Sequence, residues 1–116
     1  IDLILEIYER LLARLERAQG LAATNPEEAW RLINECRTAV VGVAAGLDFS
    51  QGEGALNFFR LYEFVAHELS AGRITEPIRV LQTLRDGFLA VRPQALEMER
   101  QGQLAPLESG RLRLRG

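Results

Sequence analysis

Apolar residues recur at three- and four-residue intervals along most of this chain, and breaks in that rhythm mark where its elements begin and end. Between residues 3 and 22, Ile4, Ile7, Tyr8, Leu11, Leu12, Leu15, Ala18 and Ala22 keep the spacing of one helix face, with Glu6, Glu9, Arg10, Arg14, Glu16 and Arg17 between them. That pattern predicts an amphipathic helix. Glu6 and Arg10 stand one turn apart on its outer side and attract weakly, whereas Arg10 and Arg14 repel by a similar amount.

The stretch "TNPEEAW" reads as the start of a second helix. Asn25 is placed to accept a hydrogen bond from free backbone N–H groups, Pro26 suits the first turn, and Glu28 is placed to reach back as a capping box. Its inward stripe is Ala29, Ile33, Cys36, Val40, Val43 and Leu47. "DFSQGEG" breaks the rhythm, and a third helix is expected from about Glu53 to Ala71, ended by Gly72 in the left-handed conformation. Thr75 then reads as the N-cap of a fourth helix that turns Ile78, Leu81, Leu84, Phe88 and Val91 inward. Pro93 lacks an N–H, so a bend is expected there, although "QALEMERQ" has the composition to continue the helix.

From residue 102 to 116 the chain mixes Pro, Gly and alternating Leu and Arg. This tail is read as a frayed terminus, with strand addition to a partner's sheet as the alternative. No strand pattern occurs before it. Four helices with short connections predict an all-α, antiparallel four-helix bundle, one domain over residues 1–101.

Composition narrows the function more than the fold. A length of 116 residues with 47% hydrophobic and 26% charged content is that of one ordinary globular domain, with no apolar run long enough to insert in a membrane. The net charge of -2 supplies no basic field for nucleic acid. All 14 basic residues are arginine, but they are scattered along every segment rather than gathered at a site. Cys36 has no partner for an internal disulfide, and one cysteine with one histidine does not make a structural zinc site, so a reducing cytoplasm is expected. The sequence opens at Ile1 inside a helical pattern, and a preceding segment is expected to be missing. There is no phosphate loop, no histidine pair and no nucleophile beside a base, so neither catalysis, metal nor cofactor is expected.

His67, the only histidine, lies in "AHELSAG". Ala66, His67 and Leu69 resemble the motif of histidine phosphotransfer domains, but Ser70 stands where that motif has lysine and Ala71 where it has glycine. Phosphotransfer through His67 is the alternative function, and a generic helical interaction module is another.

A second resemblance covers most of the chain. Leu3, Ile4, Ile7, Tyr8, Glu9, Leu12, Leu15, Glu16 and Ala18 in the first helix, and Ala29, Cys36, Val40, Val43 and Leu47-Asp48 in the second, are similar to the pattern of the flagellar export chaperone family FliS. So are Gly52, Ala55, Asn57, Phe58, Leu61, Tyr62, Phe64 and Leu69 in the third, and "VLQTLRDGF" in the fourth, with Phe88 where tryptophan is usual. Arg10 and Gly54 depart from the pattern, and the tail has no counterpart in it.

The resemblance implies a cytoplasmic chaperone that binds the disordered C-terminal segment of flagellin, prevents early polymerisation and presents its cargo to a component of the export gate. A client that folds on binding needs a long apolar groove. On an ideal helix Phe58, Leu61, Tyr62, Val65 and Leu69 form an inner face, which leaves Leu56 and Phe59 as surplus apolar surface. These two, with Trp30 and Val41 off the stripe of the second helix, are the candidate client contacts. The alternative covers for them are the preceding segment and a second copy of the chain in a homodimer. Tyr8, Asn57, Leu61 and Tyr62 match the family pattern best and are assigned to structure before binding.

Overall fold

A computed structural model describes residues 1–102, 104–108 and 111–114. Four helices, α1 (Asp2–Leu21), α2 (Pro26–Ala45), α3 (Glu53–Ser70) and α4 (Thr75–Arg100), are joined by short connections, one of which contains a 3-10 turn at Phe49–Gln51. Each helix packs on its sequence neighbour, and α1 also packs on α4, which closes an antiparallel four-helix bundle.

The local signals act largely as the sequence predicts. Asn25 Oδ1 accepts the Glu28 N–H at 3.3 Å, with Pro26 in the first turn of α2. Glu28 does not complete the capping box: its carboxylate takes the Arg31 guanidinium at 2.8 Å and is thereby held below the usual carboxylate range. Gly72 has φ +77° after α3, where the Arg73 N–H reaches Glu68 O at 2.9 Å and the Gly72 N–H reaches Leu69 O at 3.0 Å. This is the paired-bond ending that glycine permits. Thr75, expected as a cap, is the first residue of α4 instead, preceded by Ile74, and no side chain caps that helix.

Pro93 does not interrupt α4, which runs on to Arg100. The carbonyl of Leu89 loses its helical donor there, but Leu89 is exposed and water can take the donor's place. In the tail, β1 (Leu104–Glu108) and β2 (Arg111–Leu114) pair antiparallel with each other, Leu104 opposite Leu114 and Ala105 opposite Arg113, with an irregularity before Glu108. The Leu-Arg alternation therefore forms a strand whose partner is the chain's own, instead of a frayed end. Residues 103, 109–110 and 115–116 of that expectation lie outside the described residues.

The core is apolar apart from two hydroxyls. Ile4, Leu15, Val40, Val65, Leu69 and Leu81 are fully buried, and Tyr8 and Tyr62 meet hydroxyl to hydroxyl across α1 and α3. Burial pushes both phenols above their ordinary pKa, so both stay neutral and one must donate to the other. Tyr8→Phe or Tyr62→Phe alone strands a buried hydroxyl and is expected to cost about 1–3 kcal/mol. The double variant removes both groups and is expected to cost less than the sum, which urea unfolding of all four proteins measures. Additive losses would show that the two hydroxyls act independently.

Cys36 is wholly buried, its thiol directed at Leu11 O (3.7 Å) and pushed up to about 11 by burial. It is a core residue, as its place in the α2 stripe implies. The start of α1 is tied to α4 by Asp2, which accepts two hydrogen bonds from Arg92 at 2.6 and 2.9 Å. Those bonds hold the Asp2 carboxyl below its usual range.

Candidate binding grooves

The third helix has one face in the core and a groove on either flank. Tyr62, Val65 and Leu69 are buried, and Phe58 is half-buried; Leu61, expected inside with them, is 38% exposed. Leu61 points toward α4, where α3 packs less extensively than it does on α2. The thinner contact leaves Leu61 at the edge of a groove.

On the α2 side, Phe59, Tyr62, Glu63 and Ala66 face Val41, Ala44 and Ala45 across a cavity of about 260 Å³. Short side chains on α2 allow that depth. The structure thus brings together Phe59 and Val41, two of the four candidate contacts. Val41 is 47% exposed, an apolar side chain held at the groove with about half its surface in water. Phe59 is half-buried, and its ring meets the edge of Phe49 at 5.4 Å and 76°. Leu56 stands one turn before Phe59 and is 38% exposed, which extends the apolar surface toward the start of α3.

On the α4 side, two adjacent wells share Thr83 and Leu84 and together make up the α3–α4 groove. One well, about 180 Å³, adds Leu61, Arg79 and Val80; the other, about 190 Å³, adds Phe58, Gly87, Phe88 and Val91. Phe58 stacks on Phe88 at 5.8 Å and on Tyr62 at 6.1 Å, and the Phe58 and Phe88 rings form the floor. Val91, expected inside, is 48% exposed. The α4 wall of this groove was not among the sequence candidates, although an isolated glycine inside a helical pattern was a signal for it.

Trp30 belongs to neither groove. Its ring lies over the α3–α4 connection, close enough that a Cβ on Gly72 would stand 3.1 Å from it, although 46% of the residue remains exposed. It therefore serves the packing of that turn. Asn57 is exposed one turn before Leu61. His67 is exposed in the last turn of α3, its carbonyl accepting the Ser70 hydroxyl at 2.6 Å.

Among the described residues no group of three or more His, Cys, Asp or Glu could hold a metal ion, and no helix is long and apolar enough to cross a membrane. An all-α bundle with two apolar grooves beside one helix is the frame of a protein that binds an apolar segment of another chain. The family model described as the flagellar protein FliS matches residues 1–95, and the chain belongs to the FliS family. FliS proteins are flagellar export chaperones that bind flagellin-type substrates. No curated protein and no solved structure matches the chain. Family membership leaves phosphotransfer by His67 without support.

Proposed function

We propose that this protein binds the disordered C-terminal segment of flagellin in the cytoplasm, keeps it from polymerising and delivers it to the flagellar export apparatus. The observation that carries this reading is the pair of apolar grooves on the two flanks of α3, joined to membership in the FliS family.

The walls also restrict the form of the client. Both grooves are lined by helices whose backbone groups are already bonded, with few polar side chains among them, so an extended segment would bury its own N–H and C=O groups without partners. A segment that coils into helix satisfies those groups itself and offers apolar residues one turn apart to the wells. Ordering the segment opposes binding, and burial of apolar surface along both grooves offsets that cost.

Titration calorimetry with the C-terminal segment of the flagellin from the same organism tests this. Val41→Asp is the variant of choice: Val41 is half in water, so the fold tolerates the change, whereas Phe59 also supports Phe49 and its loss would mix folding with binding. A carboxylate in the α2–α3 groove is expected to weaken binding at least about tenfold, roughly 1.4 kcal/mol. No binding by the folded wild-type chain would remove the flagellin assignment. Equal binding by Val41→Asp would remove only the α2–α3 groove from it.

A further inference from the structure

Gly87 stands in the middle of α4, where glycine weakens a helix relative to alanine because it has more backbone freedom to lose. Nothing among the described residues requires it. A Cβ at Gly87 would meet no heavy atom within 4 Å, and its φ is not among the positive ones. Gly20, Gly42 and Gly54 also have open space around them, but each lies within four residues of a helix end, where the cost is smaller, and none lines the wells described above.

What sets Gly87 apart is its place on the wall of the 190 Å³ well. A side chain there would project over the floor made by Phe58 and Phe88, and the well would close from the α4 side. We propose that Gly87 is a specificity-determining position of the α3–α4 groove: it holds the well open for one large apolar side chain of the client, and it lets the client's helix cross α4 in close contact. The proposal rests on the client-binding reading above. It adds that this chain retains a weaker α4 in exchange for an open well, so stability and affinity respond to residue 87 in opposite directions.

Gly87→Ala and Gly87→Leu test this by thermal unfolding, by titration with the flagellin C-terminal segment, and by titration with indole followed through the backbone amide chemical shifts at positions 87, 88 and 91. Gly87→Ala is expected to raise the Tm by about 4–8 °C, from helix propensity alone. Gly87→Leu is expected to keep a Tm no lower than wild type while its affinity for the segment falls at least about tenfold, because the added side chain occupies the well. Indole is expected to shift the three amides in wild type and to leave them unmoved in Gly87→Leu.

Binding of the segment by Gly87→Leu within about twofold of wild type would overturn the proposal. So would a lost affinity that comes with a lowered Tm, since the position would then be structural. Should wild type fail to bind the segment at all, the flagellin reading falls by itself and indole alone decides: uptake by wild type and none by Gly87→Leu upholds the well, while equal or absent uptake overturns it.

Discussion

Leu81→Ala is expected to cost about 2–5 kcal/mol of unfolding free energy and to lower the Tm by at least about 10 °C. Few side chains hold α4 to the bundle. Only Pro77, Leu81 and Ala95 of that helix are buried, and Leu81 is the one large aliphatic residue among them, with no surface in water. Ile78, Leu84 and Phe88, on the same face of α4, pack half-buried against the core, so they cannot close over a cavity without leaving their own contacts. The loss is therefore expected near the upper end of the range. Hydrogen exchange should show α4 opening first, because its other contacts are the thinnest in the bundle. Leu89→Ala on the same helix is the control: Leu89 is 48% exposed, and its truncation is expected to change stability by no more than about 0.5 kcal/mol. Equal losses for the two leucines would show that Leu81 does not anchor α4.

The second large effect is at the α3–α4 turn. Gly72→Ala is expected to destabilise by about 2–4 kcal/mol through two causes that can be separated. The backbone at φ +77° costs a residue with a side chain about 1–2 kcal/mol, and the new Cβ would sit 3.1 Å from the Trp30 ring. The ring must move outward to accept it, which is feasible because Trp30 is partly exposed, but the move gives up its packing on the turn. Trp30 is the only tryptophan, so a red shift of its emission reports the displacement directly. In a Trp30→Ala background the backbone cost remains and the contact cost vanishes, so the two substitutions are expected to be less than additive. An unshifted spectrum with unchanged stability would refute both causes at once.

These two positions also show which parts of the fold were legible in the sequence. Gly72 was readable because a left-handed glycine at the end of an apolar rhythm is a local signal, and Asn25 with Pro26 was readable for the same reason. Which flank of α3 would be covered was not. A helical wheel places Leu61 beside Tyr62 and Val65 but cannot show that α4 stands off on that side, so the inner stripe lost Leu61 and the groove gained it. Trp30 stands among the candidate client contacts because it lies off its helix's stripe, and its contact with Gly72 is invisible there because the two are distant in sequence.

The candidate site is legible only in part. Surplus apolar character pointed to Leu56, Phe59 and Val41, and two of these line one groove. The second groove has α4 as its wall, and there Leu84, Phe88 and Val91 looked like ordinary inward residues; only their incomplete cover by α3 reveals the well. Pro93 is a helix breaker on local grounds, yet its exposed surroundings let α4 continue.

The tie between Asp2 and Arg92 joins the first helix to the last, and it bears on the order in which the chain assembles during synthesis. Helical bundles close in microseconds to milliseconds once their parts are present, whereas the ribosome adds on the order of 5–20 residues per second. The helices α1 and α2 can therefore pair as soon as they emerge, then wait several seconds for the residues of α4. During that interval the flank of α1 whose Asp2 and Glu9 meet Arg92 and Arg85 of α4 lacks its partner helix, and the buried Leu5 and Leu12 of the same flank are expected to be open to any apolar segment within reach. A translational pause before α4 would lengthen that exposure, so yield in the cell is expected to respond to how steadily the last helix is delivered as well as to the stability of the finished bundle.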